Sequence, residues 1–524
     1  MGKTSGAISA GHPKTAEAGA RMFEEGGNAF DAILAAMCAS CVVEPVLSSL
    51  GGGGFLLAHE QDQSPVLYDF FTQTPKQRRT DSEFYPILAD FGTVTQEFHI
   101  GRGSIATPGV VKGLFEAHLE LASLPMDVIV APAIELARDG VHVNTMQAQI
   151  FDIVEAIFVA SEDSKALYGS ARNDRALLGE GEIQKNPDMA NLFEALAKEG
   201  GELFYEGDIA RLIENDSWDH GGHLSMADLK EYRVEKRTPL RVDYARSHFY
   251  TNPAPSTGGL LIAFALELIK TAGFRDLSFG SKDHVERLSQ IMALTNKARL
   301  DAALVDGVEQ AQLKMLDQDF LQLYRKEIYG RPTALRGTTH MSAIDKHGNA
   351  ASLTTSNGEG CGHILPTTGV MLNNMLGEED INPHGFNQWP TDTRMCSMMS
   401  PTLLLRDDGI NVALGSGGSN RIRTAVLQVL VNLLEFGMNL EQAVAAPRMH
   451  FERGLLNIEP GYPQEALQTL NEHVPDHKVW DSPNLFFGGV HSVRANFNTG
   501  RFDGVGDFRR GGAAIIIDEH MDAS

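Results

Sequence analysis

Hydrophobic and polar positions divide the chain into a long helix-patterned part followed by a shorter strand-patterned part. Within residues 13–43 the apolar positions recur at helical spacing. Pro13-Lys14-Thr15-Ala16-Glu17-Ala18-Gly19 leads one helix, and Gly26-Gly27-Asn28 breaks it. Asp31 opens a second, Ala32-Ile33-Leu34-Ala35-Ala36-Met37, which is apolar on nearly every side and so predicted to be buried. Gly51-Gly52-Gly53-Gly54 enters a strand pattern at 55–58 that pairs with 66–71; such glycines suit close approach of backbone to backbone or ligand. Residues 105–113 read as a turn ahead of a helix at 114–121, and a short helix from 133 stops at Gly140. Residues 145–335 are mostly amphipathic helix. They are interrupted at 241–244, at 249–251 and by the rigid turn Pro253-Ala254-Pro255-Ser256-Thr257-Gly258-Gly259, which caps an apolar helix from Leu260. Residues 327–337 are loop-like, as a segment that must move away after a cut would be.

Beyond this point the period shortens to that of strands. Thr338-Thr339-His340-Met341-Ser342 opens one, Asp345-Lys346-His347-Gly348-Asn349 turns it, and residues 351–355 return. Residues 402–405 and 410–414 pair across Arg406-Asp407-Asp408-Gly409. Gly415-Ser416-Gly417-Gly418-Ser419-Asn420 then leads into a helix at 421–434. A glycine-rich turn at a helix N-terminus exposes backbone N–H groups that can hold an anion or an oxyanion.

Composition narrows the function classes. The chain has 524 residues, 43% hydrophobic and 21% charged, with a formal net charge of -24. That charge argues against a nucleic-acid or anionic-membrane partner, both of which need basic surface. No Pro/Ser/Gly linker, charge block or repeat divides the chain. The longest apolar runs, 32–43 and 260–269, are too short to span a bilayer, and the first residues lack the apolar stretch of a signal peptide, so a cytoplasmic protein is expected. Four cysteines are too few for a disulfide scaffold, and Cys38-Ala-Ser-Cys41 reads as a packing face within an apolar helix.

The chemistry centres on Gly337-Thr338. A threonine hydroxyl in mid-chain has no base at hand. Freed at an N-terminus, it gains an α-amine of pKa roughly 7.7–8.0 that can take its proton. Glycine suits the scissile side because it tolerates strained backbone. These residue types predict that the chain cuts itself between 337 and 338.

Several ordered segments together resemble the gamma-glutamyltransferase (glutathione hydrolase) family of N-terminal-nucleophile hydrolases. They are Gly26 to Ala32, Gly51 to Phe55, Thr107-Pro108-Gly109, Leu136-Ala137-Arg138-Asp139-Gly140, Pro253 to Gly259, Thr338-Thr339-His340, Asn373-Asn374, Ser400-Pro401-Thr402 and Ala446-Pro447-Arg448. The resemblance implies an α+β, four-layer αββα sandwich, one intertwined domain made by a large subunit (1–337) and a small one (338–524). It implies attack by Thr338 on a γ-glutamyl or related amide, and transfer of the acyl group to water or an amine acceptor, without a cofactor. Carried over by position, Thr338 is nucleophile and base, Ser356 is the supporting hydroxyl, and Gly418 with Ser419 is the oxyanion pair, or Gly417 with Gly418 if the turn shifts by one.

The acyl-recognition positions depart from the family. Asp69-Phe70-Phe71 stands where the family has Asp-Phe-Arg, so the arginine for a substrate α-carboxylate is replaced by Phe71. The paired serines read Ser397-Met398, a glutamine position reads Met375, and the acid for the α-amino group aligns with Glu378. Arg394 and Arg102 are the candidate stand-ins for the missing cation. The expectation is an intact cutting and acyl-transfer apparatus with a more apolar acyl pocket, as in an amidase or cephalosporin-acylase-like enzyme. An uncut, inactive scaffold is the reading from another class. His340 is expected to be structural, and Gly377-Glu378-Glu379-Asp380 a solvated loop rather than a metal site.

Overall fold

The structure, a computed structural model, describes residues 2–90, 95–172, 174–244, 246–303, 314–317, 337–382, 385–452, 454–474 and 476–518. Most of the loop-like stretch expected at 327–337 lies outside these residues. Two antiparallel sheets stack face to face. The first has seven strands in the order Ala513–Ile517, Gly6–Ala10, Thr339–Asp345, Ala350–Ser356, Gly53–His59, Val66–Phe70, Glu235–Arg237. The second has six, in the order Arg501–Val505, Gly489–Asn496, Ile410–Gly417, Thr402–Arg406, Ser247–Thr251, Leu240–Tyr244. Both sheets mix strands from before and after residue 338, so the two parts are one interleaved body.

The layer between the sheets is unusually polar, and period-2 alternation explains it. On Thr339–Asp345, Met341 and Ala343 point to the helices that cover the first sheet, whereas His340 and Ser342 point to the second sheet. Ser9 Oγ donates to the Val505 carbonyl at 2.7 Å, Ser342 Oγ to the His491 carbonyl at 3.2 Å and Ser352 Oγ to the Leu414 carbonyl at 2.9 Å. Small hydroxyl residues let the sheets approach while these three donors find carbonyls on the facing sheet.

Helices cover the outer faces, completing four layers. Pro13–Glu24, Ala29–Val43, Val110–Leu121 and Met126–Asp139 pack on the first sheet; Gly258–Ala272, Lys282–Ala303 and Arg421–Leu434 pack on the second. All fifteen residues of Ala29–Val43 are buried, as its apolar circumference predicts. Its start differs from the expected one. Asn28 is the cap, accepting from the N–H groups of Phe30 and Asp31, while Asp31 reaches back to the Asn28 N–H in a capping box. The helix expected at 114–121 begins at Val110, directly after Gly109, and the one expected from 133 begins at Met126 and carries Pro132 within it. Residues 241–244 lie in an edge strand of the second sheet, and 249–251 in the strand beside it. Among the described residues no helix is long and apolar enough to cross a membrane.

Candidate active site

Thr338 immediately precedes the central strand Thr339–Asp345. The turn after Asp345 sets the register Thr339↔Thr355, and the same register carried one step further puts Ser356 beside Thr338. The Gly337 carbonyl accepts from both neighbours, from Thr338 Oγ1 at 2.7 Å and from Ser356 Oγ at 2.8 Å. Two hydroxyl donors thus meet on one carbonyl.

On the other side lies the turn between Ile410–Gly417 and Arg421–Leu434. A Cβ on Gly417 would lie 2.0 Å from the Thr338 carbonyl oxygen, so only glycine allows this approach. Gly418 and Ser419 both have positive φ, 116° and 53°. Arg510 Nη1 donates to the Thr338 carbonyl at 3.4 Å, holding the Thr338–Thr339 peptide.

Beneath the strand start sits Glu44, buried at the C-terminal cap of Ala29–Val43. Thr15 Oγ1 donates to its Oε1 at 2.9 Å and Thr339 Oγ1 to its Oε2 at 2.7 Å. Burial raises its carboxyl to about 7, against the pull of the Thr339 and Thr15 donors and of Arg510. A carboxyl raised in the folded state binds its proton more tightly there. Its stabilising contribution is therefore full below the unfolded value near 4.5 and lost as pH rises through about 7. Glu44→Gln should remove this slope, on the order of 3 kcal/mol. Thermal unfolding at pH 5 and pH 8 reads it as a difference: between the two, the wild type loses midpoint relative to the variant, since the buried histidines contribute equally to both proteins. Equal pH slopes in the two proteins would refute it.

A small pocket, about 30 Å³ in volume, opens on Thr338. Gly337, Thr338, Ser356 and Ser419 line the reacting end, and Phe71, Met375, Met398, Ser397 and Glu378 line the rest, with Met399, Ile381 and Ile422. Phe71 stacks on Phe55 with ring centroids 5.4 Å apart. Met398 is fixed by Gly258, whose missing Cβ would lie 2.1 Å from the Met398 carbonyl oxygen. Ser397 Oγ accepts from the Met399 N–H at 3.1 Å. The pocket is chiefly aromatic and thioether in character, with Glu378 its one acidic lining residue.

The family model described as gamma-glutamyltranspeptidase matches residues 15–517. The chain belongs to this family. It is 29% identical to the glutathione hydrolase proenzyme of Bacillus subtilis (strain 168), over 98% of this chain and 91% of that one. It is also 29% identical to the acylase ACY 1 proenzyme of Pseudomonas sp. (strain V22), over 98% and 93%. A solved cephalosporin acylase from Bacillus halodurans superposes with a TM-score of 0.83 at 24% identity, over 98% of this chain and 96% of that one, a likeness of fold.

Family membership makes the αββα sandwich and amide-bond chemistry the frame for the remaining positions. Two arginines expected to stand in for the missing cation are engaged elsewhere. Arg394 is absent from the pocket lining: its Nη1 donates to the Asp69 carbonyl at 2.8 Å, Asp69 Oδ1 at 3.0 Å and the Tyr232 hydroxyl at 3.0 Å, and its Nη2 donates to the Arg233 carbonyl at 2.6 Å. The cause is Asp69, whose fully buried carboxylate takes a cation on each oxygen, Arg237 on Oδ2 at 2.8 Å and Arg394 on Oδ1. Arg394 therefore supports Phe71 from behind, through Tyr232, which donates to the Phe71 carbonyl at 2.7 Å. Arg102 is held by Asp216 at 3.1 Å and Glu83 at 3.4 Å.

Gly418 is likewise outside the lining, its α-carbon turned to Arg510, while Ser419 faces the pocket. The acidic loop is only partly solvated. Glu379 is exposed, but Glu378 is 3% exposed and packs against Gly358, where a Cβ would lie 2.3 Å from its Oε1. His340 hydrogen-bonds Thr354 Oγ1 and Ser342 Oγ, each at 2.8 Å, and burial, then His491, holds its imidazole well below the ordinary value. It is a neutral bridge between strands. Sequence reasoning missed Glu44, Glu359 and Arg510. For Glu44 a signal existed: an acid closing an entirely apolar helix must be buried or paired.

Proposed function

We propose that the chain severs itself between Gly337 and Thr338, giving a large part (1–337) and a small part (338–524), and that the freed Thr338 hydrolyses or transacylates small-molecule amides. The observation carrying this is the convergence on one carbonyl of the Thr338 and Ser356 hydroxyls, at the reacting end of a pocket. The Thr338 amine would take the hydroxyl proton, the hydroxyl would attack the amide carbonyl, and water or an amine would resolve the acyl-enzyme. N–H groups of the turn at 417–419, which approaches Thr338 at Gly417 and lines the pocket at Ser419, would serve as donors for the oxyanion.

The acyl group this pocket suits is more apolar than γ-glutamyl. Phe71, Met375 and Met398 occupy positions where the family's substrate carboxylate and its neighbours are recognised. Arg394, a candidate stand-in for that cation, is engaged by Asp69. Loss of a charge-assisted contact costs about 1.5–3 kcal/mol, and apolar walls reward an aliphatic or aromatic chain instead. An acylase among the relatives supports the same reading. With the processed protein, kcat/KM for aliphatic or aromatic N-acyl anilides should exceed that for γ-glutamyl anilide by about tenfold or more. A strong preference for the γ-glutamyl compound would end this assignment.

A further inference from the structure

Gly337 is gripped at two points by a single turn. Ser356 Oγ donates to its carbonyl, and three residues on, Glu359 Oε1 accepts its amide N–H at 3.0 Å. The two contacts fall on opposite sides of the Gly337 α-carbon, so they fix the peptide plane that Thr338 Oγ1 must attack. We propose that Glu359 is a positioning residue for self-cleavage, holding the scissile residue so that its carbonyl stays between the Thr338 and Ser356 hydroxyls. This rests on the reading that the chain cuts itself, and adds a residue to it that no family motif quoted above contains.

The turn is built for the task. Glu359 is 2% exposed, and its own N–H donates to Asn374 Oδ1 at 2.9 Å. Gly358, between the two gripping residues, has φ +62°, and a Cβ there would lie 2.1 Å from that same Asn374 oxygen. The Gly358 N–H donates to Ser356 Oγ at 3.1 Å, orienting the hydroxyl so that its proton faces Gly337. Gly337 is itself confined: a Cβ on it would lie 2.8 Å from the Gly358 carbonyl oxygen. The scissile residue is seated in this turn by its backbone alone.

The step balances as follows. Thr338 Oγ1 bonds to the Gly337 carbonyl carbon as its proton passes to the Thr338 nitrogen. The C–N bond breaks, leaving an ester between Gly337 and Thr338 Oγ1 and a free amine on Thr338. Water then hydrolyses the ester, returning the hydroxyl and leaving a carboxylate on Gly337. Throughout the first step the oxygen that gains charge is the one Ser356 touches. Without Glu359, rotation about the Gly337 backbone bonds carries that oxygen out of reach.

The test follows the appearance of the two fragments on a denaturing gel after synthesis of the full chain, for wild type, Glu359→Ala and Glu359→Gln. Glutamine keeps an oxygen that accepts the Gly337 N–H; alanine does not. Cutting should slow at least tenfold in the alanine variant and return to within about threefold of wild type in the glutamine variant. Urea unfolding of all three, each in a Thr338→Ala background so that intact chains are compared, should give the same midpoint. Wild-type speed in Glu359→Ala would overturn the proposal, as would a Glu359→Gln variant as slow as Glu359→Ala. A wild-type chain that stays in one piece would instead refute the self-cleavage reading on which it rests.

Discussion

Thr338→Ala leaves the chain in one piece and removes turnover, by about 10⁴-fold or more. Both losses have one cause. The hydroxyl now touching the Gly337 carbonyl is the group that would cut the chain, and after the cut it is the group that would attack substrate. Thr338→Ser separates this from a packing effect, because it keeps the oxygen and drops only a methyl group. Two fragments should then still form, more slowly, and the cut protein should turn over. The pH profile carries a second signature. In the uncut chain the Thr338 nitrogen is an amide and cannot be a base, whereas the freed amine titrates near 7.7–8.0. Activity of the cut enzyme should therefore rise with pH through this range, with no contribution from the buried, neutral His340. Turnover by Thr338→Ala, or fragments of the expected size from it, would remove the basis of the functional assignment.

How far the sequence made this site legible depended on the range of each interaction. Thr338 and Ser356 are brought together by one local turn, Asp345-Lys346-His347-Gly348-Asn349, whose register decides what faces what. That is short-range information. Phe71, Met375 and Met398 were found by position within motifs, and the pocket gathers them because the Val66–Phe70 strand and the loops at 375 and 398 converge on the end of the same sheet. The alternation that buries His340 and Ser342 between sheets was equally readable, as was the all-round burial of Ala29–Val43.

Charge pairing was not readable. Nothing near Arg394 in sequence announces that Asp69, 325 positions away, lies unsolvated behind Phe71 and takes the guanidinium first. Glu378 looked like part of a solvated acidic run because its two acidic neighbours, Glu379 and Asp380, suggested it; the positive φ of Gly358 is what lets the turn close over it. Helix ends failed for a different reason. Val110 and Met126 begin helices because of what they pack against, and local propensity carries no record of that.

The second large effect lies away from the pocket. Asp507→Ala should destabilise the protein by about 3–5 kcal/mol, the scale for removing one partner of a buried ion pair. Asp507 Oδ2 pairs with Arg448 Nη2 at 2.6 Å and Oδ1 with Arg509 Nη1 at 3.3 Å, while Arg509 Nη2 also reaches Glu459 Oε2 at 2.6 Å. All four side chains are at most 2% exposed. The Asp507 carboxylate accepts the Val490 N–H at 2.8 Å as well, so alanine orphans a backbone donor and leaves two arginines sharing one acid. Burial pushes the Asp507 carboxyl up, but Arg448 and Arg509 outweigh it and hold the group below its ordinary value. The pairing therefore stabilises at neutral pH and is lost only as pH falls through that depressed value. The consequence reaches the nucleophile, because the Arg510 N–H donates to the Asp507 carbonyl at 3.2 Å and the Arg510 side chain holds the Thr338 carbonyl. Urea unfolding in a Thr338→Ala background, where one intact chain is compared with another, should show the midpoint fall. The Asp507→Ala chain with Thr338 restored should also cut itself more slowly. A midpoint shift worth less than about 1 kcal/mol would mean that water or a neighbouring carbonyl replaces the carboxylate, and that the buried cluster does not brace the site.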